Sequence, residues 1–93
     1  MKPTIYRIIK RTDKKLVVNR DKTYVETSHW YIAKRKGRIF GFWHVVGHEA
    51  DWWDGDVYSH TTDTLKDMEE YLASYNEVYN NNRPYKIIYP PKE

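Results

Sequence analysis

His29-Trp30-Tyr31-Ile32-Ala33-Lys34-Arg35-Lys36-Gly37-Arg38-Ile39-Phe40-Gly41-Phe42-Trp43-His44-Val45-Val46 is the stretch whose reading decides the fold. Aromatic and β-branched residues flank Lys36-Gly37, and glycine can take the positive φ that a tight hairpin turn needs. A two-residue turn there predicts a register in which Trp30 faces Trp43, Tyr31 faces Phe42, Ala33 faces Phe40 and Gly41 lies opposite Ile32. Cross-strand aromatic pairs then stabilise both faces of the ribbon, so both faces need cover. A helix is expected on one. The other is either crossed by N-terminal strands or left as an aromatic surface.

Toward the N-terminus, Thr4 to Lys10 reads as a strand carrying Ile5, Tyr6, Ile8 and Ile9. Thr12-Asp13-Lys14-Lys15 breaks that pattern. Leu16-Val17-Val18 and Thr23-Tyr24-Val25 are short β-prone patches around Asn19-Arg20-Asp21-Lys22, which is a hairpin turn or a mobile basic loop. The order of residues 12 to 28 is left open. Toward the C-terminus, a polar loop from Gly47 to Asp56 leads to an extended piece at Val57-Tyr58. Thr64 is an N-cap with Asp67 three residues on, and the spacing of Leu65, Met68, Leu72, Tyr75 and Val78 or Tyr79 predicts an amphipathic helix from Leu65 to about Asn80. Asn80-Asn81-Asn82 and Pro84 end it, and Tyr85 to Tyr89 forms a final strand stopped by Pro90-Pro91. The order is roughly β-β-β-α-β. It predicts an α+β fold: one domain over residues 1–93, with a small antiparallel sheet of about four strands around a central aromatic hairpin and one helix on one face.

Charge is divided by position. Residues 1 to 38 hold twelve Lys or Arg against three Asp or Glu, and residues 39 to 93 hold four against ten, so a net +3 conceals two opposed poles. Such poles steer association with charged partners, which points to binding before chemistry, and they also permit a homodimer. Four Trp, nine Tyr and two Phe supply most of the packing bulk, and some of these rings are expected at an interface. Without cysteine there are neither disulfides nor thiolate metal sites, which suits a reducing cytoplasm. No apolar run approaches the ~20 residues that span a bilayer, so no membrane partner is expected and the expected location is cytoplasmic.

Trp30-Tyr31-Ile32, Phe40-Gly41-Phe42-Trp43, Thr64-Leu65 through Glu69-Glu70-Tyr71-Leu72, and Tyr85-Lys86-Ile87-Ile88 together resemble a loose group of small uncharacterised proteins encoded by bacteriophages. The resemblance implies a context in which short cytoplasmic proteins bind and redirect a host factor, including inhibitors of host defence. It carries over no catalytic residue.

Two surfaces are candidates for a partner. Trp52 and Trp53 within the carboxylates Glu49, Asp51, Asp54 and Asp56 have the composition of a protein-recognition loop, apolar anchors inside a charged rim. Lys10 and Arg11, with Lys34, Arg35, Lys36 and Arg38 at the hairpin tip, are interleaved with Tyr6, Tyr24, Tyr31 and Trp30. That is the composition of a single-strand nucleic-acid platform, although no recognised nucleic-acid motif accompanies it. His44 and His48 are the best metal-ligand candidates, with Glu49, Asp51 and His60 nearby, but their spacing suits a helix and they fall on a strand end and a loop, so no metal is expected. Asp51, Asp54, Gly55 and Asp56 do not follow the EF-hand order. Ser28-His29 and Ser59-His60 are sequence neighbours whose side chains diverge on a strand, and no glycine loop cradles phosphate.

The expectation is therefore a non-enzymatic, cofactor-free accessory protein of phage type that binds a host protein and inhibits or redirects it. The alternative is a single-stranded nucleic-acid-binding protein using the basic hairpin tip and the sheet aromatics.

Overall fold

A computed structural model describes residues 2–37, 41–47, 49–50, 57–58 and 60–91. Two long strands, β1 (Thr4–Val18) and β2 (Thr23–Lys36), form an antiparallel ribbon paired from Tyr6↔Arg35 to Val18↔Thr23. Asn19 and Lys22 exchange backbone hydrogen bonds at 2.8 and 3.3 Å, which closes the ribbon over the two-residue loop Arg20-Asp21. Asn19-Arg20-Asp21-Lys22 is thus a hairpin turn, and residues 12 to 28 are ordered within the ribbon. Opposite charges meet across it at Lys15↔Glu26, a pairing that favours this register.

A third strand, β3 (Trp43–Val45), adds antiparallel to β2. A separate two-stranded ribbon joins β4 (Glu49–Ala50) to β5 (Val57–Tyr58). Helix α1 (Leu65–Tyr79) follows, and β6 (Tyr85–Ile88) pairs parallel with the free edge of β1. The main sheet has the order β3-β2-β1-β6, so the fold is the expected small α+β domain, with a mixed sheet because its last strand runs parallel.

The central hairpin differs from its predicted register. Lys34 pairs with Val45, Arg35 with His44 and Lys36 with Trp43, and the connection spans residues 37–42, closed by the Gly37 N–H donating to the Phe42 carbonyl at 2.7 Å. The positive φ sits at Gly41, at 69°, and not in a two-residue turn at Gly37. Trp30 is opposite Arg11 on β1, and on the other edge of β2 the pairing with β3 stops short of it. The slip is an even number of residues, so Trp30 and Trp43 still lie on one face of the sheet although they are not opposite each other. On the β3 edge of β2 Tyr31 exchanges backbone hydrogen bonds with Thr62, so β3 reaches only Lys34 to Lys36 and the aromatic pairs of the tighter hairpin do not form.

Side chains alternate along β1: Tyr6 and Ile8 are buried against α1, while Arg7 points to the other face and is exposed. With Ala33, Val46, Met68 and Leu72 they form the core, and Leu65, Tyr71, Tyr75, Tyr85 and Ile87 pack around it. The helix starts as its sequence predicts, with the Asp67 N–H donating to the Thr64 hydroxyl at 3.1 Å. Its buried stripe departs from expectation near the end. Val78 and Tyr79 are 68% and 71% exposed, and the inward row runs Met68, Leu72, Asn76, Asn80, one residue per turn, changing from apolar to amide. That row meets the start of β1, where the Thr4 and Tyr6 hydroxyls take the amides as partners. Asn81 and Asn82 then take left-handed conformations, which asparagine tolerates, and the Asn82 N–H donates back to the Asn76 carbonyl at 3.0 Å.

Candidate nucleic-acid interface

The face of the sheet turned away from α1 is built from every second residue of four strands. The register brings Arg7↔Lys34, Ile9↔Ile32 and Arg11↔Trp30 together there, and β3 adds Trp43 and Val45 while β6 adds Lys86 and Ile88. The Arg7 guanidinium lies over the Trp43 ring at 4.3 Å, a cation–π contact that places both side chains on this surface. Arg7, Arg11, Lys36 and Lys86 are exposed, and Lys34, Trp30 and Trp43 are half-buried. Among the described residues, the carboxylates of this face are Asp13 and Glu26, farther along the ribbon. The helix layer is the reverse: α1 carries Asp67, Glu69, Glu70 and Glu77 against Lys66 alone. Folding thus converts a charge division along the sequence into a division between layers.

Alternation sorts the basic residues singled out from the sequence. Lys34, Lys36 and Arg11 share the open face. Lys10 and Arg35 point to the helix side, and Arg38 lies outside the described residues. Among the rings, Tyr6 is fully buried and Tyr31 packs beside the core, so neither offers a stacking surface. Trp30 and the exposed Tyr24 alternate onto the open side, where Trp43 joins them.

At the end of the sheet where β1 and β6 begin and β2 finishes, a cleft of about 770 Å³ opens. Lys2, Arg35, Lys36, Arg83 and Lys86 line it together with Thr4, Ile5 and two glycines, and none of its lining residues is acidic. Lys36 and Lys86 belong to both the cleft and the open face, so the two surfaces are continuous.

Two buried amides hold the cleft wall. Asn80, 4% exposed, accepts from Arg35 Nη2 at 3.1 Å, and its Nδ2 donates to Thr4 Oγ1 and Asn76 Oδ1, both at 2.8 Å. Asn76, fully buried, also accepts from the Tyr6 hydroxyl at 3.0 Å and donates to the Arg83 carbonyl at 2.8 Å. Burial pushes the Tyr6 phenol above its ordinary value, and the nearby Arg35 charge partly opposes that rise. Three cleft residues, Thr4, Arg35 and Arg83, are therefore tied to one closed network, and no buried side-chain polar atom of the described residues lacks a partner. Arg35 also sits at the helix C-terminus, where a cation is favoured.

Of the acidic recognition loop, Asp51, Trp52, Trp53, Asp54 and Asp56 lie outside the described residues, and Glu49 pairs with Tyr58 in β4–β5. His44 is exposed on β3 with its ring beside Gly37, and His48 lies outside the described residues. No group of three potential metal ligands occurs among the described residues. His60 stacks on Tyr71 at 3.8 Å, and His29 Nδ1 is 3.2 Å from the Thr12 hydroxyl across the ribbon. The sequence reading passed over Asn76 as a buried residue and over Lys2, Arg83 and Lys86 as site residues. The signal was present in the four-residue spacing that continues Met68 and Leu72 into Asn76 and Asn80. Comparison with protein-family models, curated proteins and solved structures finds no match.

Proposed function

We propose that the chain binds single-stranded nucleic acid along the helix-free face of its sheet and acts by binding instead of turnover. The observation that carries this is the segregation of Arg7, Arg11, Lys34, Lys36 and Lys86 with Trp30 and Trp43 on one face, whose described carboxylates, Asp13 and Glu26, lie farther along the ribbon. Cations track the phosphates, and the indole rings stack on bases with about 1–3 kcal/mol per base, largely independent of sequence. The acidic helix on the far side repels the strand, so it is directed to one face. No described helix is long and apolar enough to cross a membrane, and the surface needs none.

The test is fluorescence anisotropy with a labelled oligothymidylate at two salt concentrations. If about four phosphates are neutralised, a slope of about −0.7 per contact makes affinity fall about 50-fold between 50 and 200 mM salt. A change under about threefold, or undiminished binding by the variant Arg11→Gln with Lys34→Gln, refutes the proposal.

The exposed row Asp67, Glu70 and Glu77 favours a second reading, in which a phage-encoded accessory protein presents a phosphate-like helix to a host protein that binds nucleic acid. Its mark is a single host protein recovered stoichiometrically after nuclease treatment and lost when those three carboxylates become lysines.

A further inference from the structure

The open face and the cleft differ in how they present charge. On the face, cations alternate with Ile9, Ile32, Val45 and the two tryptophans, which suits a chain of singly charged phosphodiesters with bases between them. In the cleft, Lys2, Arg35, Lys36, Arg83 and Lys86 converge where the sheet stops. A phosphomonoester carries about −1.5 to −2 at neutral pH, so the excess charge is best met by a phosphate that ends a strand.

We infer that this cleft seats the terminal phosphate of the strand lying on the sheet face. The inference rests on the nucleic-acid function proposed above and adds to it a preference for a phosphorylated end. Arg35 is the anchor. Its Nη2 donates to Asn80 Oδ1, which fixes the plane of the group at the cleft wall, and a guanidinium can grip a phosphate through two parallel hydrogen bonds. The Arg83 carbonyl is fixed by Asn76 Nδ2, and the Arg83 N–H donates to the Asn80 carbonyl at 3.1 Å, so its backbone is placed by the same amides. Lys2, Lys36 and Lys86 are exposed and add compact positive charges at the rim. About 770 Å³ exceeds what one ion fills and falls in the range of small-ligand sites, leaving room for the terminal nucleotide as well as its phosphate. Lys36 and Lys86, shared with the face, connect the terminal phosphate to the diesters that follow.

The experiment compares three labelled oligothymidylates of equal length: one with hydroxyls at both ends, one with a 5′-phosphate and one with a 3′-phosphate. Anisotropy is read for the intact chain, for Arg35→Gln with Arg83→Gln, and for Arg11→Gln with Lys34→Gln, after thermal melts establish that each variant is folded. Inorganic pyrophosphate is titrated separately by calorimetry. The expected result is that one phosphorylated end binds about tenfold tighter than the hydroxyl-ended oligomer. The cleft variant should lose that preference and keep hydroxyl-ended binding, while the face variant should weaken all three oligomers and keep their ratio. Equal, salt-sensitive affinity for all three oligomers overturns the cleft inference and leaves the sheet-face function standing. Pyrophosphate binding that depends on Arg35 and Arg83, without oligomer binding, overturns both the strand-end assignment and the sheet-face function and makes the cleft a site for free phosphates. If the cleft variant melts early, Lys2→Gln with Arg83→Gln replaces it, since the Lys2 side chain is exposed and Arg83 enters the amide network only through its backbone; an undiminished preference in that variant likewise overturns the inference.

Discussion

Asn76→Ala isolates the amide network. The side chain is fully buried and makes three hydrogen bonds, from Tyr6 Oη at 3.0 Å, from Asn80 Nδ2 at 2.8 Å and to the Arg83 carbonyl at 2.8 Å. A typical intramolecular hydrogen bond contributes about 1 kcal/mol net, but a buried group left unpaired costs about 1–3 kcal/mol. The Tyr6 hydroxyl is the group most affected, because Tyr6 has no exposed surface and loses its 3.0 Å bond to Asn76, keeping the Asn80 amide as its polar neighbour. Asn80 keeps its bond to Thr4 Oγ1, and Arg83 lines the cleft, where its carbonyl can meet water. The expected loss is therefore about 3–4 kcal/mol, a large share of the stability of a domain this size. At about 4–8 °C per kcal/mol, the melting temperature should drop by about 12–30 °C. Equilibrium urea unfolding followed by circular dichroism measures the loss. Adding Tyr6→Phe supplies an internal check, since it removes the affected hydroxyl and should make the double variant about 1 kcal/mol more stable than additivity gives. A loss below about 1.5 kcal/mol, or strict additivity, would show that water satisfies the network and that these amides do not organise the cleft.

Three further perturbations address other parts of the chain. Tyr6→Phe should cost about 1 kcal/mol at pH 9. Because the native phenol titrates above its ordinary 10.0, the wild-type advantage is intact below pH 10 and declines as pH climbs past it, so the gap between the two proteins should be smaller at pH 11 in urea unfolding. Gly47→Ala should destabilise by about 2–4 kcal/mol, since φ there is 76° and an added Cβ overlaps Tyr71 Oη and His60 Cβ, forcing apart the His60–Tyr71 stack; melting unchanged within a degree would refute this. Hydrogen exchange should be fastest in the ribbon from Thr12 to His29, which is almost wholly exposed, and slowest at Ile8 and Ala33 in the core; uniform protection along β1 would show that something covers the ribbon.

The helix was legible in the sequence to within a residue because its signals are local: Thr64 caps, Asp67 donates its N–H to it, and the asparagines can turn left-handed. At Asn19–Lys22 local chemistry offered a hairpin turn or a mobile loop, and the pairing of the flanking strands selects the turn. What the sequence did not yield was the partner of β2. Short-range pairing with β3 looked favourable because Lys36-Gly37 sits between two aromatic runs, but on that edge of β2 Tyr31 exchanges backbone hydrogen bonds with Thr62, and β3 pairs only with Lys34 to Lys36. Registers are decided by such competition between strands, which no single stretch encodes. The candidate site was legible in part for the same reason. Lys34, Lys36, Arg11 and Trp30 were recognisable as basic and aromatic candidates, yet their separation from Arg35 and Lys10 follows from alternation in a settled register. The cleft draws Lys2, Arg35, Arg83 and Lys86 from three distant segments, so only the parallel addition of β6 beside β1 brings them together.

The amides at the end of α1 connect the stability of the domain to that site. Burial alone would be served by continuing the apolar row of Met68 and Leu72, and removing both halves of a buried hydrogen bond in favour of shape-matched apolar groups is often close to neutral. Leucine at position 80 would, however, leave the Arg35 guanidinium and the Thr4 hydroxyl without their fixed partner, and leucine at position 76 would release the Arg83 carbonyl. The polar row thus forgoes apolar burial in return for orientation at the cleft. Asn80→Leu should accordingly separate the two properties. Arg35 and Thr4 are half-buried and can reach water, so the melting temperature should move by only a few degrees, whereas the preference for a phosphorylated end should fall toward that of the hydroxyl-ended strand. A variant that melts normally and keeps the preference would show that Arg35 needs no anchor, and the amides would then be structural alone.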